Sequence, residues 1–349
     1  MNRRAAAFAI PGDIETLTGG YIYERRLLEG LREQGRDVTH IQLGDSFPDP
    51  TPADMADAVV QVASVDPSRP LILDGLVFGS IATEGLATVT APIVAMIHHP
   101  LALESGLDPV LADHLYRTER ANLGLAAHVL VPSPHTARIL ADRYDVAPDR
   151  ITIARPGTEQ PPRPRNPAAP PLILSVGIQH PRKGHDILLK ALARLTHDAW
   201  QAVVVGSRYS PAHADHLERL HAELGLGPQV RMAGRVSKAA LAELYAQASL
   251  FVLATRYEGY GIVFDEALAH GLPIVACDTG AVPDTVPQTA GLLVPVEDEN
   301  ALALAIDRLL GDRALRDRMS EAAAQYGRRL PSWSDTCRIA GDILDHVSR

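Results

Sequence analysis

The stretch Thr255-Arg-Tyr-Glu-Gly-Tyr-Gly-Ile-Val-Phe-Asp-Glu-Ala-Leu-Ala-His-Gly-Leu-Pro273 decides the fold. Just before it, residues 250–254 (Leu-Phe-Val-Leu-Ala) form a short apolar run of the kind that becomes a buried parallel strand. Gly259 and Gly261 break that pattern. From Ile262 to His270 the apolar positions Val263, Ala267 and Leu268 recur at helical spacing, and Gly271 and Pro273 stop the helix before the next apolar run reaches Cys277. A glycine turn that opens a helix aims backbone N–H groups at one spot, which suits an anion. Glu258 and Glu266 bracket this turn with seven residues between them. Carboxylates do not bind phosphate, but they accept hydrogen bonds from sugar hydroxyls. The stretch therefore suits a ligand that carries both phosphates and sugars.

Moving outward, the same strand-then-helix rhythm fills the chain. Strands are expected at 5–10, 38–43, 71–73, 93–97, 129–131 and 151–154, with helices at 21–34, 53–63, 80–87, 109–125 and 133–143 between them. Alternation of this kind marks a doubly wound parallel sheet. Six prolines between Glu159 and Pro171 exclude both helix and sheet, so 161–171 is expected to be a semi-rigid linker. Beyond it the rhythm restarts at 172–176 and runs to a last helix over 333–347. The expected organisation is a first domain over 1–160, a second over 172–330, and a terminal segment, 331–349.

Length and composition narrow the function classes. A chain of 349 residues suits two domains, and 46% hydrophobic content supports two cores. A formal net charge of −9 argues against a nucleic-acid partner, since phosphate backbones call for a basic surface. Cys277 and Cys337 belong to no metal-ligand spacing and read as inert thiols in a reducing compartment. The apolar run near the start ends at Pro11-Gly12, too short for a secretory core, and no run reaches the ~20 residues of a membrane span. The expected location is cytoplasmic.

Glu258-Gly-Tyr-Gly through Glu266, continued by Ala267-Leu-Ala-His-Gly-Leu-Pro-Ile-Val-Ala276, resembles the E-x(7)-E signature of the family 4 retaining glycosyltransferases (glycosyltransferase group 1). The resemblance implies the GT-B fold, in which two Rossmann-like, doubly wound parallel-sheet domains face each other across a cleft. It also implies that the segment 331–349 crosses back to the first domain. Sugar transfer from a nucleotide donor, UDP- or GDP-linked, to an acceptor hydroxyl is the implied reaction. The nucleotide sugar is then a co-substrate and no further cofactor is implied.

By the same resemblance, Glu258 meets donor-sugar hydroxyls, Glu266 meets ribose hydroxyls, and the backbone of Tyr260, Gly261 and Ile262 beside Gly259 meets phosphate. Val176-Gly-Ile-Gln-His-Pro-Arg-Lys-Gly184 is similar to the family's donor-phosphate loop, with Arg182 and Lys183 as its cations at the carboxyl end of a strand. Many members carry Arg directly after the first glycine of this loop. Here that residue is Ile178, which leaves Arg182 to supply the second positive charge. Gly234-Arg235-Val236 stands where members contact the base. In the first domain, Gly19 and Gly20 are similar to the glycine loop that lies over the diphosphate. His98, rather than His99, matches the histidine that faces the donor sugar. No metal is expected, because nothing near the histidines in sequence completes a ligand set and Arg182 and Lys183 carry the neutralising charge.

Two other classes remain open at this point: a nucleotide-sugar epimerase of the same architecture, and a non-catalytic sugar-nucleotide-binding regulator, which Ile178 favours. The acceptor (glycan, lipid or small molecule) lies beyond what the residues specify. The mixed charges on 21–34 read as a solvated face rather than a membrane contact.

Overall fold

The computed structural model describes residues 3–104 and 106–348. They divide into two compact units, one comprising residues 1–157 with 331–349 and the other 158–330.

In the first unit, strands β1 (Ala6–Pro11), β2 (Val38–Leu43), β3 (Leu71–Asp74), β4 (Ile93–Met96), β5 (His128–Val131) and β6 (Ile151–Ile153) form one sheet in the order β2-β1-β3-β4-β5-β6. Every pairing in it is parallel. Helices α1 (Gly19–Glu33), α2 (Pro52–Ala63), α3 (Gly75–Phe78), α4 (Thr83–Leu86), α5 (Pro109–Leu125) and α6 (Pro134–Tyr144) make the crossovers. Strands buried on both faces need apolar side chains in both directions, and all six residues of β1 are buried. Ala7 and Ala9 enter one core and Ala6, Phe8 and Ile10 the other.

The second unit repeats the plan. Strands β7 (Leu172–Val176), β8 (Gln201–Val205), β9 (Val230–Gly234), β10 (Ala248–Leu253), β11 (Ile274–Cys277) and β12 (Gly291–Val294) lie in the parallel order β12-β11-β10-β7-β8-β9. Around them pack α7 (His185–Leu192), α8 (Pro211–Glu223), α9 (Lys238–Gln247), α10 (Ile262–Ala269), α11 (Val282–Thr285), α12 (Glu299–Gly311) and α13 (Arg313–Gly327). The last helix, α14 (Trp333–His346), belongs to the first unit, where Cys337, Ala340 and Leu344 join the core of Phe8 and Leu27.

Two expectations on the chain's layout differ from what is seen. The proline-rich segment is part of the second unit rather than a spacer. Asn166 N–H donates to the Ala246 carbonyl, Ala168 N–H donates to that of Gln247, and the Arg165 guanidinium donates to the carbonyls of Gly271 and Ala248. Prolines forbid regular structure but not these single bonds, so the join falls earlier, at Gly157/Thr158. Of the helix expected over 80–87 only the single turn of α4 forms, and the short helix α3 precedes that span. Asp74 accepts from Leu76 N–H and starts α3 directly at the end of β3, and Asn122 donates to the carbonyls of Phe78 and Ile81 where the chain breaks.

The sheet orders position the functional residues. In open α/β sheets ligands lie at the carboxyl ends of the strands where the winding direction reverses. In the first unit that point falls between β1 and β3, and in the second between β7 and β10.

Candidate functional site

The second unit's reversal point is where the chain returns the residues singled out from sequence. Beyond β7, Gly177 leaves room for the aliphatic stem of Lys183 to lie over it. His185, at the start of α7, places Nε2 3.1 Å from the Gly177 carbonyl and 3.2 Å from that of Ile178. Burial holds its imidazole neutral, with the pKa lowered to about 4. A neutral ring donating from Nε2 ties the loop to the helix without adding charge. The Arg182 carbonyl accepts from Arg256 N–H at 2.7 Å, which binds the loop after β7 to the loop after β10.

That junction brings Lys183 Nζ within 2.6 Å of Glu258 Oε1 and Arg182 Nη1 within 3.4 Å of Glu258 Oε2. Arg182 also donates to the Tyr257 carbonyl, and Thr255 Oγ1 donates to Glu258 Oε1 at 2.9 Å. Glu258 is buried, with 4% of its surface exposed. Burial raises its pKa. The charges of Lys183 and Arg182, with hydrogen bonds from Lys183 and Thr255, more than offset this and hold it below the ordinary value. Two cations thus converge on one carboxylate. Arg256 beside them is held separately, gripped bidentately by Asp186 and paired with Glu297 at its other edge.

Gly261 sits at φ +86° as the N-cap of α10, and no side chain caps that end among the described residues. Behind the turn, Tyr260 donates to the buried Asp265, Thr285 Oγ1 donates to the Tyr260 carbonyl, and Ala281 N–H donates to the Glu258 carbonyl. One carboxylate oxygen of Glu266 accepts from Tyr245 at 2.7 Å, and burial raises its pKa. Gly234 ends β9 at φ +62°, its carbonyl accepting from Gly206 N–H, while Arg235 is exposed and Val236 half-buried. The structure thus joins Arg182, Lys183 and Glu258 through direct contacts. It places Gly259–Ile262 and Glu266 on the continuous turn and helix that follow, and Gly234–Val236 two strands away from β7 on the same sheet.

Gly19, Gly20 and His98 lie in the first unit. Gly19 and Gly20 open α1, and a Cβ on Gly20 would come 3.5 Å from His98 Cδ2. His98 follows β4, its carbonyl accepting from Thr136 Oγ1, and its ring meets Tyr23 edge-on with centroids 5.3 Å apart. Along the chain, no partners for a ligand set stand near this histidine. The fold supplies them: Glu24 from α1 and Asp74 from the end of β3 join His98, with one ligand atom of each lying within 4.8 Å of the others. Fifty and twenty-four positions separate them along the chain, so no spacing rule finds the cluster. A direct hydrogen bond between the two acids already accounts for their proximity. His99 instead faces Glu104, at 3.2 Å.

Residues 158–326 match the family model described as Glycosyl transferases group 1. This segment, just under half of the chain, contains the whole Arg182–Lys183–Glu258 cluster and belongs to that family, and the two parallel-sheet units have a GT-B-like fold. Over 245 residues the chain is 33% identical to a D-inositol 3-phosphate glycosyltransferase of a Nocardioides species, covering 62% of this chain and 53% of that one. It is 34% identical over 180 residues to the alpha-D-kanosaminyltransferase of Streptomyces kanamyceticus, covering 51% and 45%. The chain therefore spans about half the length of these relatives. Among solved structures, sucrose-phosphate synthase from Thermosynechococcus elongatus superposes with a TM-score of 0.83 at 23% identity, over 97% of this chain and 98% of that one. Anabaena HepE, in complex with UDP and glucose, superposes at 0.77 and 15%, over 97% and 99%. Among the described residues, no helix is long and apolar enough to cross a membrane.

Proposed function

We propose that this chain is a retaining glycosyltransferase that moves a hexosyl group from a UDP- or GDP-linked donor to an acceptor hydroxyl without a metal ion. The observation that carries the reading is the convergence of Arg182 and Lys183 on Glu258 at the reversal point of the second sheet, beside the start of α10, which no side chain caps. As the bond from sugar to diphosphate breaks, charge grows on the leaving oxygen. Fixed cations and helix amides aimed at that charge stabilise the transition state. In this reading Glu258 orients Lys183 and offers its remaining lone pairs to the sugar, Glu266 meets the ribose, and Gly234–Val236 the base. By the resemblance alone, Gly19, Gly20 and His98 are the first unit's residues for the same reaction. The relatives' names, an inositol-phosphate glycosyltransferase and a kanosaminyltransferase, support group transfer from a sugar donor as the common chemistry.

The test incubates the protein with a panel of nucleotide sugars, UDP-glucose first, with and without a cell extract that supplies acceptors, in EDTA. Nucleotide release that depends on the extract, with the anomeric configuration kept in the product, is the expected result. Isomerised donor without extract, or donor binding with neither outcome, overturns it.

A further inference from the structure

Glu24, Asp74 and His98 meet at the first unit's own reversal point, where α1 follows β1 and Asp74 ends β3. Glu24 is 1% exposed and Asp74 3%. Two carboxylates in contact and out of water cannot both ionise. Asp74 Oδ1 accepts from Leu76 N–H at 2.9 Å, and the two carboxyls are hydrogen-bonded to each other. The pair then carries one negative charge, and Glu24 Oε1, an acceptor whichever of the two acids holds the proton, lies 3.5 Å from His98 Nε2. Neither of these two buried atoms has a hydrogen-bond partner among the described residues, so each is the other's nearest complement.

We propose that Glu24 and Asp74 are positioning residues for His98: the acid pair shares a single proton and presents the Glu24 Oε1 acceptor, which fixes His98 as its Nε2–H tautomer and leaves Nδ1 as the ring's acceptor. The partner of an imidazole N–H sets the tautomer and the ring's orientation, and it stabilises the imidazolium when Nδ1 takes a proton. The titratable groups facing the cluster are Tyr21 and Tyr23 on α1, with Cys337 of α14 beside Tyr23, and Asp13 and Asp45 beyond Tyr21. Burial and the surrounding carboxylates push Tyr21 up to about 12 and Tyr23 higher still, so both tyrosines keep their protons at neutral pH.

The place of His98 in the site rests on the proposed transferase reading, but the tautomer does not. The test therefore has two parts. In 15N-histidine-labelled protein without substrate, with the His98 signals assigned by their loss in His98→Gln, the wild type and Asp74→Asn are expected to show the Nε2–H form. Glu24→Gln is expected to show a mixture. Asn at 74 keeps both the cap and the donor to Glu24, so it acts as the conservative rescue. In turnover, Glu24→Gln is expected to lower kcat about tenfold or more with donor KM within about twofold, and to shift the acid limb of the pH profile. Asp74→Asn is expected to stay near wild type. If Glu24→Gln leaves both the tautomer and the pH profile unchanged, the inference falls. It also falls if stoichiometric Zn2+ shifts the His98 signals of the wild type, since that result makes the cluster a cation site. Absence of turnover with every donor would sink the transferase reading and leave the NMR result standing.

Discussion

Lys183 and Glu258 each depend on the other's charge, because their side chains are 13% and 5% exposed. Removing one partner of a buried pair leaves the other uncompensated, at a cost of about 3 kcal/mol where part of the compensation survives. Arg182, still 3.4 Å from Glu258, is that surviving part. Lys183→Ala is therefore expected to lower stability by that amount in urea titrations, and to raise donor KM and lower kcat together. Its pH dependence has a definite sign. The Glu258 pKa lies below the ordinary value, so the stabilisation it brings is present above the ordinary carboxylate range and lost as pH falls through the folded-state value. In Lys183→Ala acid unfolding is expected to begin at higher pH. Glu119 behaves the opposite way. It is fully buried, and burial raises its pKa to about 8 from an ordinary 4.5, against hydrogen bonds from Leu101 N–H and Tyr144. Its contribution is complete below 4.5 and is lost as pH rises toward 8, with a slope of at most about 1.4 kcal/mol per pH unit. Glu24, raised to about 7 by burial, adds a similar loss over a lower window. Thermal unfolding followed from pH 5 to 8 should show this decline, and Glu119→Gln should flatten it.

Elements were legible wherever a period ran uninterrupted, as in β7 and α5, whose expected bounds coincide with those observed, because burial of one face or both leaves its imprint on successive residues. What the period does not carry is the identity of distant partners. The start of α3 depends on Asp74, and the break after it on Asn122, more than forty residues along the chain. The candidate site divides in the same way. Arg182, Lys183, Glu258 and the turn at Gly261 stand in recognisable strings, whereas Thr255, His185, Glu24 and Asp74 acquire their roles only from what the fold sets beside them. The loop before α7 makes a backbone-level prediction of its own. Gly184 caps both the preceding turn and α7 at φ +62°, and a Cβ there would overlap the Ala254 carbonyl oxygen at the end of the neighbouring strand. Gly184→Ala is expected to cost about 1–3 kcal/mol of strain and, by moving Lys183, to weaken donor binding measured by titration calorimetry. Gly124 is the control. It lies in α5, and a methyl added to it would meet no atom within 4 Å, so Gly124→Ala should leave donor binding unchanged and stabilise by up to about 1 kcal/mol.

At the scale of the whole molecule, each sheet buries both faces within its own unit, and the chain's last helix completes the first of them. The closeness of α14 to α1 is set by small residues. Gly30 leaves space for Cys337 Sγ, and Gly157 admits the backbone at Trp333. Arg36, buried, closes the far end by donating to the Gly341 carbonyl and to both oxygens of Asp345. Trp333 meets the Tyr23 ring edge-on at 5.7 Å, and the Tyr23 hydroxyl donates to the Ala154 carbonyl, so the terminal helix buttresses the helix that carries Glu24. Leu344 is fully buried in this layer. Leu344→Ala removes three carbons from a packed core, which costs about 2–5 kcal/mol. With separate cores the loss should be confined to one unit. Hydrogen exchange on intact protein in increasing urea is expected to show protection falling in β1, α1 and α14, while β7, β10 and α10 keep wild-type protection and the donor is still bound. An equal loss across both units would overturn the separation of their cores.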